Sequence, residues 1–165
     1  MTRTWGELLR NKEKIGSFYK TIPALEQVAL RSIHFDRYGP TVILRLDLPA
    51  FPDFPLPEWV EGGCDRLQCH VKFLAVEDVS MRQWKPPVAV DVNMARLERR
   101  RISVSITGKG TNLTFSSSDS LTVDRVSAFS SSAGGVDRES HLYAGKVDRM
   151  RFSALPGVDR KAYYE

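Results

Sequence analysis

Apolar and polar positions alternate along much of this chain. Val42, Leu44, Leu46 and Leu48 interleave with Thr41, Ile43, Arg45 and Asp47, a period of two that predicts a strand over 41–48 with one apolar face. Upstream, Val28 to Asp36 reads as a first strand, with Val28 and Leu30 pointing one way and Ile33 and Phe35 the other. Tyr38-Gly39-Pro40 is a tight reversal, so the two strands are expected to pair as a hairpin. Three prolines between Pro49 and Pro55 then stop any pairing. Leu67, Cys69, Val71, Phe73 and Ala75 alternate through a third strand over about 66–76, and Glu77 and Asp78 stand at its end.

The same period recurs downstream. Val88, Val90 and Val92 suggest a fourth strand, and Ile102, Val104 and Ile106 a fifth that ends at the turn Gly108-Lys109-Gly110. Leu113 and Phe115 give a sixth, Leu121 and Val123 a seventh, and Leu142-Tyr143 a last short piece. Residues 130–135, SSSAGG, have the composition of a flexible loop. At the amino end, Thr4 followed by Glu7 is a capping-box signature. Trp5, Leu8, Leu9, Ile15 and Tyr19 share much of one helical face, predicting an amphipathic helix over about 5–19. The expected fold is mainly β (α+β): an antiparallel sheet or sandwich of about seven short strands with one amino-terminal helix. One domain spans 1–165, with a β core over about 28–145. An irregular tail follows over 146–165, with aromatic anchors between Phe152 and Tyr164.

Composition narrows the function classes. A chain of 165 residues with 42% hydrophobic positions can bury a sizeable core without disulfide or metal staples. Its net charge of +4 is spread out: residues 1–36 hold six Lys/Arg against four Asp/Glu, and residues 37–100 hold nine of each. A nucleic-acid binder concentrates positive charge on one stripe. The one local run, Arg96 and Arg99 to Arg101, reads as a solvated turn. Nucleic acid is therefore not the expected partner, and no stretch approaches the ~18 apolar residues of a membrane span. The start, MTRTWGELLRNKEK, lacks the apolar core of a secretory signal, and the two cysteines are too few for a disulfide framework. A cytoplasmic location follows as the expectation.

Reaction chemistry is sparse. Cys64 and Cys69 with His70 invite a zinc reading, but the spacing is looser than CxxC and no second pair follows. Cys69 on an apolar strand face is better read as packing, and no metal or cofactor is expected. There is no GxSxG elbow for His34, His70 or His141 to serve. His70, opposite Cys69, is expected to face solvent. A hydrolase built from His34, His70, Asp47 and Glu77 would need those side chains to converge. Gly62-Gly63 and Gly108-x-Gly110 lack a Walker lysine and read as turns. The loop PAFPDFPLPEW offers the best surface for a partner: Phe51, Phe54 and Trp59 are rigid aromatics of the kind that anchor interfaces. The opposing reading folds them back over a sheet edge. Asp47, Glu77 and Asp78 are the candidates for a local acidic contribution to such a surface.

The phrases RSIHFDRYGPTVILRLDLPAFPD, EWVEGGCDRLQCHVKFLAVEDVSMRQW and FSSSDSLTVDRVSAF, with TWGELLRN at the start, resemble actinobacterial members of the immunity protein 50 family. That resemblance implies a small cytoplasmic protein of a polymorphic toxin system, which neutralises a cognate toxin by binding it. It brings no catalytic residues with it. Inhibitors of nucleases are often acidic, so the mild basicity of this chain points away from a basic nuclease cleft unless a local acidic patch forms. The alternative is a small-ligand-binding or structural β-domain with no toxin partner, which would carry a deep apolar pocket inside the sheet. The oligomeric state stays open at this level.

Overall fold

The structure, a computed structural model, describes residues 4–85, 88–131, 141–152 and 161–164. Nine strands form one antiparallel sheet: β1 (Val28–Asp36), β2 (Thr41–Asp47), β3 (Arg66–Phe73), β4 (Glu77–Gln83), β5 (Val88–Leu97), β6 (Arg101–Gly108), β7 (Thr111–Ser118), β8 (Leu121–Phe129) and β9 (Leu142–Tyr143). Their order is β4-β7-β6-β5-β1-β2-β3-β8-β9. Among the described residues, three short α-helices punctuate it: α1 (Glu13–Gly16), α2 (Pro57–Glu61) and α3 (Lys146–Arg151). Among the described residues, no helix is long and apolar enough to cross a membrane.

The mainly β expectation holds, with nine strands where about seven were expected. The added full-length strand is β4. All seven of its residues are exposed, so it carries no alternation to read, and the third strand stops at Phe73 instead of running on to Val76. The expected helix over 5–19 does not form as one element. Residues Trp5–Leu8 make a single 3-10 turn, and α1 is one turn more. The physical reason is a long-range competitor. Leu9 bridges to Leu121, Arg10 N donates to the Leu121 carbonyl at 2.8 Å, and Asn11 exchanges two side-chain hydrogen bonds with the Val123 backbone. Chain pinned along β8 in this way cannot also be helical. The apolar set of that segment is buried all the same: Trp5, Leu8, Leu9, Ile15 and Tyr19 all lie in the core.

Register explains the core. Cross-strand pairing puts Leu30, Ile33 and Phe35 of β1 with Leu46, Leu44 and Val42 of β2, and these with Cys69, Val71 and Phe73 of β3. Ile33 and Leu30 therefore share a face, against the expectation of opposite faces. A bulge at Arg31 inserts one extra residue into β1 and flips everything after it. A second bulge lies in β8, where two residues, Arg125 and Val126, stand opposite the single Cys69. Arg125 takes a left-handed φ of 51°. Phe73 of β3 meets Phe115 of β7 edge-on at 5.1 Å, although those strands are far apart in sheet order. The sheet thus bends back on itself and encloses its apolar face.

The opposite face of β1, β2, β3 and β8 carries Ser32, Arg45, Asp47, Gln68, His70 and Ser127. It is covered as well. Ile43 packs there with Tyr143, Phe152, Tyr163 and Tyr164, so β2 is buried on both sides. The tail expected to be irregular contains α3 and a 3-10 turn over Lys161–Tyr164, and its aromatic residues do act as anchors. The SSSAGG loop lies largely outside the described residues.

Candidate functional site

The proline-rich loop folds back onto the protein. Trp59 sits on α2, started by Pro57 at its first turn. Its side chain is fully buried, its ring lies 4.9 Å from that of Phe18, and its Nε1 donates to the Leu142 carbonyl at 3.0 Å. Phe51 is half-buried against the core. Phe54 is 54% exposed, with its backbone N–H bonded to the Phe18 carbonyl. Of the three aromatics expected to greet a partner, Phe54 presents an open ring and Trp59 is a core residue.

Asp47 is sealed in. It accepts two hydrogen bonds from Arg31, at 2.5 and 3.0 Å, and one from Gln68 Nε2 at 2.9 Å. Gln68 in turn accepts from Arg45 Nη1 at 3.3 Å, and Arg45 Nε donates to Ser32 Oγ, which lies 3.2 Å from the Tyr164 hydroxyl. The bulge at Arg31 turns this guanidinium toward the carboxylate. The bulge at Arg125 does the same for the tail: its guanidinium bonds Asp148 at 2.6 Å and the Tyr163 carbonyl at 3.0 Å, and it lies 5.4 Å from the Phe152 ring centre. Glu77 and Asp78, by contrast, are exposed on β4, where Glu77 is 3.5 Å from Arg101. The three acidic candidates do not form one patch.

The histidines do not assemble a reaction centre among the described residues. His70 is buried beneath Tyr163 and Tyr164, with ring centres 4.7 and 5.1 Å away. It does not face solvent as its strand position suggested, because the covering residues come from the far end of the chain. Its Nε2 has no hydrogen-bond partner among the described residues. Burial, reinforced by the nearby Arg45 and Arg125 charges, holds its pKa well below the usual histidine value. His34 stacks on Tyr164 at 4.8 Å. His141 Nδ1 is 2.8 Å from Ser127 Oγ, both buried. The contact gives each of these buried polar side chains a hydrogen-bond partner. Ser127, Arg31 and Gln68 were not singled out from sequence. The signal that could have found them is Arg45 and Asp47 on a strand whose other face is wholly apolar.

Among the described residues, no cluster of three or more His, Cys, Asp or Glu is placed to hold a metal ion. Cys64 and Cys69 are free thiols, and burial pushes both pKa values up, consistent with packing roles. A cleft of about 350 Å³ between α2, β9 and α3 is lined by Glu58, His141, Tyr143, Arg149 and Phe152.

The open chemistry is at the surface, where β4 and the strand-connecting turns display charged and apolar side chains together. Phe35, Tyr38, Val79, Met81 and Leu97 are each at least 45% exposed. The Immunity protein 50 family model matches residues 11–129, and the chain belongs to that family. The matched span runs from before α1 to the end of β8. No curated protein and no solved structure matches.

Proposed function

We propose that this protein is an immunity protein that acts as one domain in the cytoplasm, binding its cognate polymorphic toxin and blocking it by occupancy without a reaction of its own. Family membership carries the reading: the match spans eight of the nine strands. The burial of His70 and Asp47 and the exposure of Glu77 on the far edge strand support it over a hydrolase built from these groups. Of the residues considered for partner contact, Phe54, Glu77 and Asp78 are the accessible ones. Trp59 and Asp47 support the scaffold beneath. A standard interface needs ~800 Å² on each partner, well within the surface of this chain. The test is co-expression with the toxin domain encoded beside this gene. Growth rescue together with co-purification supports the proposal, and a toxin that kills equally with or without this protein refutes it.

A further inference from the structure

Four chain reversals meet at one end of the curled sheet. They are the β1–β2 turn at 37–40, the β3–β4 link at 74–76, the β5–β6 turn at 98–100 and the β7–β8 turn at 119–120. Backbone hydrogen bonds tie them together: Ala75 N to Gly39 O at 3.1 Å, Val76 N to Pro40 O at 2.9 Å, Ser118 N to Leu74 O at 2.9 Å and Asp119 N to Arg100 O at 3.0 Å. Arg101 Nη2 adds a bond to the Ala75 carbonyl at 2.9 Å. The result is a braced platform built from loops that are far apart in sequence.

Its most unusual feature is the β5–β6 turn. Arg99 and Arg100 both adopt left-handed backbone, with φ of 58° and 56°. Glycine or asparagine relieves the crowding of Cβ against the carbonyl at such positions, and two consecutive arginines do not. Strain held at an exposed turn points to a role for the side chains it displays. Among the described residues, neither arginine has a carboxylate within ion-pair distance, in contrast to Arg101, which Glu77 and Ser116 hold. Arg37 lies with its guanidinium 4.8 Å from the Tyr38 ring centre, and Tyr38 is 67% exposed. Leu97 beside the arginine turn is 45% exposed. Arginine and tyrosine are the residue types enriched where interfaces are anchored.

We infer that this turn platform, through Arg99, Arg100 and Tyr38, is the surface that grips the toxin, and that carboxylates of the toxin sit opposite Arg99 and Arg100. The inference rests on the immunity reading above. Unpaired arginines call for carboxylates opposite them. A phosphate backbone fits less well, because it is anionic throughout, whereas Glu77, Asp78, Glu98 and Asp119 stand among the arginines, a mixed pattern that a protein face can match with carboxylates opposite Arg99 and Arg100 and cations opposite the acids.

The test measures affinity for the toxin domain encoded beside this gene. It uses the wild type, the charge reversal Arg99→Glu/Arg100→Glu, and Arg99→Gly/Arg100→Gly. The glycine pair removes both charges while relieving the backbone, so it is expected to fold at least as stably by thermal melt. Both variants are expected to lose affinity, the reversal by roughly a hundredfold, and the wild-type association rate is expected to fall with added salt. A folded glycine variant with wild-type affinity overturns the assignment while leaving the immunity reading intact. A wild type that does not bind the toxin domain overturns both. Loss of binding to a random-sequence DNA duplex, with toxin affinity unchanged, overturns the protein partner in favour of nucleic acid.

Discussion

Asp47 shows how one side chain can hold a face of the sheet. Its two oxygens collect Arg31 and Gln68 in a region only 1% exposed. Removing it strands a guanidinium and an amide without their carboxylate, the costly half of a buried ion pair. Asp47→Ala is expected to lose about 3–5 kcal/mol in a urea titration, with the turn platform at the other end unchanged in any molecule that remains folded. His70 sets a pH dependence. In the folded chain it resists protonation, because burial beneath Tyr163 and Tyr164 removes it from water, and the charges of Arg45, Arg125, Lys72 and His34 add to that effect. In the unfolded chain it binds a proton near its ordinary value of 6.5. The unfolded state therefore takes up the proton first as pH falls. The contribution is fully present above pH 6.5 and is lost below it, by up to roughly 1.4 kcal/mol per pH unit. Denaturation midpoints measured from neutral to mildly acidic pH, with His70→Phe as the control that flattens this part of the slope, check it.

At the scale of elements, the carboxyl-terminal segment is the piece that makes β2 a doubly buried strand. Truncating its two tyrosines, Tyr163→Ala with Tyr164→Ala, is expected to lower the melting temperature while the apolar face enclosed by the sheet persists. The diagnostic readout is His70 itself. With its cover removed, its NMR titration is expected to move up toward the ordinary value, since desolvation is the largest cause of the depression. The strands most plainly written in the sequence were those with one apolar face and a fixed period: β2, β3 and β6 were placed to within a few residues. What could not be read was set from a distance. Nothing near His70 announces that Tyr163 and Tyr164 will cover it. Nothing in WGELLRN says that Leu9 and Asn11 will pair with β8 instead of winding on. β4 has no buried position, so periodicity could not reveal it. The loop aromatics were ambiguous for a related reason: a tryptophan that anchors a partner and one that anchors a loop have the same composition around them, and only the Phe18 and Leu142 contacts decide.

The molecule as a whole is a sheet assembled from distant pieces. β1 pairs with β5, β3 with β8 and β4 with β7, each across a long loop of chain. Closing such loops before their contacts form slows folding. Refolding from urea, followed by tryptophan fluorescence through buried Trp59, is expected on the millisecond-to-second scale or slower, not in microseconds. The bulges at Arg31 and Arg125 bear on the family's history. Each is a single additional residue, and each supplies the arginine that meets a carboxylate, Asp47 or Asp148. A relative shortened by one position at either place would turn the remainder of that strand over and leave the acid without its counterpart. Gaps and acidic residues should therefore come and go together among homologues, a covariation countable from genomes without purifying any protein.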